Sequence, residues 1–113
     1  MRILKVLLLL VSIAVVSTPA FAQAVGNISA ITMSTSYPNV PDGVFIKLNS
    51  GLPSNCAGTT NGWMWIPATS TVLTAYVEGL WLSGAAPSVS VTVFTLGLET
   101  DGYCEVAQIE PAS

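Results

Sequence analysis

The sequence predicts a small, mainly β domain of five strands and one helix, in the order β-β-β-α-β-β. Several short segments alternate apolar and polar residues, as VFIKLN and PSVSVTVFTLG do, and this period of two is typical of strands. Stretches rich in Gly, Pro, Asn and Asp separate these segments and predict turns. A single segment around residues 70–83 repeats its apolar side chains at helical spacing instead.

The N-terminal segment predicts a cleaved signal peptide. Two basic residues precede an apolar run over residues 7–16, and Ala20 and Ala22 supply the small side chains that a signal peptidase requires. We expect cleavage after Ala22. A transmembrane anchor is the alternative, but the run is short for a span and no basic cluster follows it. Residues 1–22 are therefore expected to direct export, to the periplasm or out of the cell.

The charge of the exported part argues against nucleic acid as a partner. Removal of 22 of the 113 residues leaves one domain, residues 23–113, in which Lys47 is the only basic side chain against six Asp and Glu. Its net charge is therefore −5, whereas phosphate contacts need a basic surface. No other segment is long and apolar enough to cross a bilayer, so we expect no membrane span in the mature chain.

The first three strands are separated by turn-forming sequences. Residues 28–34 predict the first strand, YPNVPDG a turn, VFIKLN the second strand, and WMWIP the third. Side chains of a strand point alternately to its two faces. On the second strand we expect Val44, Ile46 and Leu48 on one face and Phe45 and Lys47 on the other.

One helix follows the third strand. Thr69 or Ser70 can cap its start, and Gly84 predicts its end. Gly79 interrupts it at a cost of about 1 kcal/mol relative to alanine, and we interpret this glycine as a point of close packing against a strand. The expected apolar stripe consists of Val72, Leu73, Tyr76, Val77, Leu80 and Trp81.

Two strands joined by a turn at Asp101-Gly102 complete the chain. The fourth strand is expected to place Val89, Val91 and Val93 on one face and Ser90, Thr92 and Phe94 on the other. The fifth is expected to place Tyr103, Glu105, Ala107 and Ile109 on one face and Cys104, Val106 and Gln108 on the other. One helix between the third and fourth of five strands is the arrangement of the OB fold, a small β-barrel, although other small α+β folds share this order.

The two cysteines predict a disulfide. Cys56 and Cys104 both lie in the exported part, and an even cysteine count in an oxidising compartment is typical of such a bond. A zinc site is the weaker alternative, because two thiolates without any histidine are a poor ligand set. We expect no metal and no cofactor.

The chain contains few side chains that are typical of enzyme active sites. The absence of histidine removes Ser–His and Cys–His pairs, and we expect no catalytic residue. Glu99, Asp101 and Glu105 are the remaining candidates for a glycosidase pair, and Glu99 and Asp101 for a weak calcium site. A solvated hairpin tip is the simpler interpretation of these carboxylates.

The third strand carries the most informative side chains. Trp63 and Trp65 should point to one face, and Met64 and Ile66 to the other. Paired tryptophans can form a stacking platform for sugars or belong to the core. We expect at least one of them to pack in the core, and the other either to complete the core or to lie at a subunit contact or a sugar site.

The segment from residue 44 to residue 110 resembles small exported proteobacterial proteins, which are related to the B subunits of subtilase-like and pertussis-like five-subunit bacterial toxins. The resemblance lies in VFIKLNSGLPSNC, the tryptophan strand, and the helix and strand AYVEGLWLSGAAPSVSV. The matching positions are Cys56, Trp63 or Trp65, Leu73, Gly84, Val89, Val91, Cys104, Glu105, Val106 and Ile109.

The resemblance implies an OB-fold barrel, and in the toxins a homopentamer that binds cell-surface glycans. The toxins contact glycans through a serine near the start of the first strand, for which Ser29 is the counterpart. They also use aromatic hydroxyls in the strand after the helix, where this chain has Thr92 and Phe94. We therefore expect a non-enzymatic module that recognises a glycan or a surface protein as an oligomer. The alternative is a structural or protein-binding role without a sugar ligand.

Overall fold

The computed structural model describes residues 21–112, so the predicted signal peptide, residues 1–22, lies almost entirely outside the described residues. The strands are β1 (Ala22–Ser34), β2 (Gly43–Leu48), β3 (Met64–Pro67), β4 (Ser90–Leu98) and β5 (Cys104–Pro111). One α-helix, α1 (Thr71–Leu82), lies between β3 and β4. Short 3-10 turns cover Ser54–Cys56, Thr60–Gly62 and Ala86–Ser88. The predicted order β-β-β-α-β-β is confirmed.

The strands form a closed barrel in the order β1-β2-β3-β5-β4. Neighbouring strands are antiparallel, except that β3 and β5 run parallel. The helix returns the chain between β3 and β4, so that β5 enters beside β3 in the same direction. The predicted OB-type barrel is therefore the observed architecture.

Alternation places one face of each strand in the core. On β2, Val44, Ile46 and Leu48 are buried inside the barrel, as expected. On β4, Val91 and Val93 are fully buried, and Thr95 continues the same face. The hydroxyl of Thr95 donates to Asn55 Oδ1 at 2.6 Å, which satisfies this buried polar group.

The first strand is longer than its sequence indicates. Ala22–Asn27 pairs with β4, whereas residues 28–34, the predicted strand, pair with β2. Gly26 and Asn27 belong to residue types depleted in strands, so the sequence pattern recovers only the second half. Ala22, the last residue of the predicted signal peptide, is opposite Thr95 in this ladder.

The expected faces of β5 are wrong beyond Val106. Phe94 pairs with Gln108 and Thr95 with Val106, so Ala107 is an extra residue in β5. Such a bulge reverses the side-chain alternation after it. Ile109 therefore packs against the core, while Gln108 is exposed.

The helix departs from its predicted stripe at one end. Val77 is fully buried and Leu73, Tyr76 and Leu80 pack against the core, but Val72 is 80% exposed. Five residues correspond to about 140° around an α-helix, so Val72 points away from the side on which Val77 is buried. Trp81, at the edge of the stripe, remains 39% exposed.

The predicted end of the helix is confirmed, whereas its predicted cap is only partly confirmed. Ser70 occupies the N-cap position, but its side chain makes no capping hydrogen bond. Gly84, with φ of +79°, ends the helix, and Ala85 N–H donates to Leu80 O at 3.0 Å, as in a Schellman motif. The interpretation of Gly79 is wrong, because a Cβ placed there would meet nothing within 4 Å.

Within residues 21–112, no helix combines the length and the apolar character that a membrane crossing requires.

Candidate functional site

The outer surface of β2 and β3 carries a second apolar layer, outside the barrel. Phe45 belongs to the outward face of β2, yet it is only 2% exposed. Tyr103 covers it edge-on, with ring centroids 5.0 Å apart and planes inclined by 62°. Such edge-to-face pairs stabilise by about 0.5–1.5 kcal/mol beyond the area that they bury.

Trp65 is held as a structural member of this layer. It lies opposite Phe45 in the β2–β3 ladder, and its indole N–H donates to Asp42 O at 3.1 Å. Gly43 makes room for the indole, since a Cβ at that position would lie 2.7 Å from Trp65 Nε1 and 2.1 Å from Ile66 O. The contact with backbone therefore fixes Trp65 in one orientation.

Trp63 has a different environment. It immediately precedes β3 and is half-buried, and no hydrogen bond holds its indole N–H among those described. The ammonium of Lys47 lies 4.5 Å from its ring centroid, which is a cation–π distance. One tryptophan is thus fixed by backbone, and the other presents its ring to a pocket.

The pocket beside Trp63 has a volume of about 400 Å³ and opens to solvent. Aromatic rings from distant parts of the chain contribute to its walls: Tyr37, Phe45, Trp63 and Tyr103. Hydroxyl and amide groups also line it: Thr32, Ser34, Thr35 and Asn61. We call this the aromatic pocket.

The aromatic pocket lies where OB folds commonly bind ligands. It is lined by the end of β1, by Phe45 of β2, by the segment just before β3, and by the loops that join β1 to β2 (residues 35–42) and β4 to β5 (residues 99–103). In the OB fold these two loops and the face of strands 2 and 3 bind oligonucleotides and oligosaccharides.

The disulfide helps to position Trp63. Cys56 and Cys104 are bonded and fully buried, which confirms the predicted pair. Between them and Trp63 lies Thr59, whose hydroxyl donates to Trp63 O at 2.7 Å and accepts from Cys104 N–H at 2.9 Å. The turn that carries Trp63 is therefore tied directly to the start of β5.

A polar group in this pocket has no partner within the protein. The hydroxyl oxygen of Ser34 is buried and is the one side-chain atom of that kind without a hydrogen bond in residues 21–112. Buried polar atoms are rarely left unpaired. Ser34 lies between the aromatic pocket and a second depression lined by Asp42 and Glu78.

The other two predicted contact residues lie elsewhere. Ser29 donates to Lys47 O at 3.3 Å and lines a separate depression of about 290 Å³ beside Trp81. Thr92 lies on the outer side of β4, opposite Val25 and Glu110. Neither residue lines the aromatic pocket, although Ser29 bonds to Lys47, whose ammonium contacts the Trp63 ring.

The acidic residues flank this region without lining the aromatic pocket. Burial, and then the charges of Glu99 and Asp101, raise the pKa of Glu105 above its ordinary value. Glu105 pairs with Trp65 across the parallel β3–β5 ladder. Across the part of the chain that the structure describes, no group of three or more His, Cys, Asp or Glu side chains is arranged to hold a metal ion.

Sequence reasoning missed most of the aromatic pocket. Phe45 was placed on the outward face, but its cover by Tyr103 depends on a loop far away in the sequence. Tyr37, Thr59 and Asn61 carry no motif of their own. One sequence signal does point to this pocket: Phe45 is apolar although it lies on the face of β2 that is expected to contact solvent.

The fold and the site together define an OB-type barrel with an aromatic pocket on its outer face. Comparison of the chain with protein-family models, with curated proteins and with solved structures finds no match.

Proposed function

We propose that this protein is a non-enzymatic glycan-binding module and that the aromatic pocket is its binding site. The observation that carries the proposal is the half-buried ring of Trp63, which borders a pocket lined by hydroxyl and amide groups on the ligand-binding face of an OB barrel. Sugars present apolar C–H faces and hydroxyl edges, so they suit this combination. Binding sites generally join apolar walls to a few placed polar groups.

In this proposal, aromatic side chains bind the apolar face of the sugar and polar side chains bind its hydroxyls. Trp63 and Tyr103 would contact the apolar face of a sugar ring, while Asn61 and Thr35 exchange hydrogen bonds with its hydroxyls. Ser34 would gain the partner that its hydroxyl lacks. Trp65 would act indirectly, because its indole N–H is already bonded to Asp42 O.

Support for a binding role also comes from the chemistry of the pocket walls. None of the lining side chains is a carboxylate, an imidazole or a thiol, and Glu105 lies against Trp65 instead. The acid–base groups in the lining are the phenols of Tyr37 and Tyr103, which also donate and accept hydrogen bonds with sugar hydroxyls. We therefore favour binding without turnover.

A glycan array with the purified, disulfide-bonded protein tests the proposal. We expect saturable binding by the wild type and at least a tenfold loss in Trp63→Ala. Trp81→Ala is the matched control, since it removes a partly exposed tryptophan outside the aromatic pocket, and it should bind as the wild type does. Both variants must first show wild-type-like thermal unfolding. No binding to any glycan at high protein concentration would contradict the proposal.

We also propose that the protein is exported and cleaved after Ala22, as in the small proteobacterial proteins that it resembles. The disulfide supports an oxidising compartment. Mass spectrometry of the protein from the periplasm or medium should give an N-terminus at Gln23. A chain of full length, retained in the cell, would contradict this.

The exposed side of α1 favours a further role in self-association. Val72 is 80% and Leu82 81% exposed, and Ala75 and Gly79 lie between them at helical spacing, leaving an apolar stripe with no cover in the monomer. We propose that a second copy of the chain covers this stripe, in an oligomer that would strengthen weak glycan contacts by multivalency. A strict monomer in sedimentation velocity would contradict it. Leu82→Glu should dissociate the oligomer, and Leu52→Glu, outside the helix, should not.

A further inference from the structure

The charges around the aromatic pocket indicate which kind of glycan it accepts. All of its lining side chains are uncharged. A ligand carboxylate in this pocket would therefore have no lining guanidinium or ammonium with which to pair. An unpaired charge in a partly enclosed apolar site is costly, because it loses hydration without gaining a partner.

Carboxylates flank the pocket on two sides. Asp101 accepts from the backbone N–H of Tyr103 at 2.9 Å, next to the Tyr103 ring that lines the pocket. Asp42 accepts from Ser36 N–H at 2.9 Å, within the loop that supplies Tyr37. Residues 21–112 hold six carboxylate side chains against one ammonium. Their field opposes the entry of an anion.

Among residues 21–112, Lys47 supplies the one cationic side chain, and it already contacts an aromatic ring. Lys47 is absent from the pocket lining, and its ammonium lies over the Trp63 ring at 4.5 Å. Its charge is already partly compensated there by the cation–π contact.

We propose that the aromatic pocket selects uncharged glycans and discriminates against glycans that present a carboxylate, such as those ending in sialic acid. This inference rests on the proposed glycan-binding function and specifies its ligand class. Neutral sugar hydroxyls match the hydroxyl and amide groups of Ser34, Thr35 and Asn61, whereas a carboxylate meets neither a cation nor a favourable field.

Three forms of one glycan separate the effect of charge from that of size. The probes are N-acetyllactosamine, its 3′-sialylated form, and the same sialylated form with the sialic acid carboxyl converted to an amide. We expect the amide to bind at least threefold more tightly than the carboxylate at low salt. The difference should shrink as salt is raised, because screening reduces repulsion between groups about one Debye length apart. The whole array, with and without sialidase treatment, extends the comparison to other glycans.

Two variants identify the charges responsible. Asp101→Asn keeps the acceptor oxygen for Tyr103 N–H and removes one negative charge, so it should strengthen binding of the sialylated probe about twofold and leave the neutral probe unchanged. Lys47→Met should leave the affinity for the neutral probe nearly unchanged, because Lys47 does not line the aromatic pocket. Tighter binding of the carboxylate than of its amide, abolished in Lys47→Met, would overturn the inference while leaving the glycan-binding function intact. Absence of binding to every glycan, neutral or sialylated, would overturn both.

Discussion

The two faces of β3 are both covered by apolar side chains, yet they serve different purposes. Met64 and Ile66 point into the barrel and are fully buried. On the other face, Trp65 and the adjacent Trp63 are only half-buried and lie among polar groups. An apolar side chain on the outside of a barrel therefore has two possible explanations, packing under a loop or an open binding surface.

The outer layer contains one example of each explanation. The indole of Trp65 is held by its hydrogen bond to Asp42 O. The backbone carbonyl of Trp63 is bonded to Thr59, while its ring lines the aromatic pocket. What distinguishes the two tryptophans is the partner of the indole N–H rather than the extent of burial. The inner face supplies stability, and the outer face supplies a proposed site, so mutations on the two faces should separate these properties.

The largest effect is expected from the disulfide, which supports both faces. Cys56→Ala/Cys104→Ala opens a loop with a sequence separation of 48 residues. The unfolded chain regains freedom, and the free energy of unfolding should fall by about 4 kcal/mol. Chemical denaturation measures it. Reduction of the wild type should give a similar loss, and a change below about 1 kcal/mol in both would contradict the expectation.

The inner face should respond next. Ile66→Ala removes a fully buried side chain from the barrel and should lower the free energy of unfolding by about 3 kcal/mol, since it loses buried contacts and leaves a cavity. Glycan affinity of the folded fraction should remain unchanged. Leu52→Ala, at an exposed loop position outside the helix, is the control and should change the free energy of unfolding by less than about 0.5 kcal/mol. Equal losses at both positions would refute this distinction between buried and exposed sites.

On the outer face, Trp65→Phe tests the structural assignment of Trp65. It keeps an aromatic ring and removes the N–H that bonds to Asp42 O. The free energy of unfolding should fall by about 1 kcal/mol, as thermal or chemical denaturation would show, with glycan affinity nearly unchanged. A large loss of affinity without any loss of stability would transfer the binding role from Trp63 to Trp65.

The smallest effect concerns pH. Because burial and the neighbouring Glu99 and Asp101 raise the pKa of Glu105, the folded state holds this proton more tightly than the unfolded state does. Its contribution to stability is present below the ordinary carboxyl pKa and is lost as pH rises through the raised value. Glu105→Gln should therefore be slightly more stable than the wild type at neutral pH, with the difference vanishing in acid. Denaturation curves across pH 3–7, about the range of carboxyl titration, would measure it, and an opposite trend would contradict it.

The fold was largely predictable, because its signals are local. Alternation located the inner faces of β2 and β4, Gly84 marked the end of the helix, and the two cysteines formed the expected pair. The errors have local causes that no periodic pattern contains. The extra residue at Ala107 reverses the side-chain alternation at the end of β5. Val72 lies in the first turn of α1 and remains exposed.

The candidate site was less predictable, because it is assembled from separate segments. Trp63 stood out as an aromatic residue, but its distinction from Trp65 depends on the loop before β2, which supplies Asp42 O. Tyr103 reaches Phe45 only after the barrel closes. Ser29 and Thr92 follow from the resemblance alone, and neither lines the aromatic pocket.

The most direct test follows the indole N–H signals of the protein's three tryptophans by NMR during titration with the best-binding neutral glycan of the array. Trp63→Phe, Trp65→Phe and Trp81→Phe assign the signals. Binding in the aromatic pocket predicts that the Trp63 indole signal shifts most, while those of Trp65 and Trp81 change little. A shift confined to Trp81, or no shift in any indole signal at saturating glycan, would contradict the assignment of the aromatic pocket as the binding site.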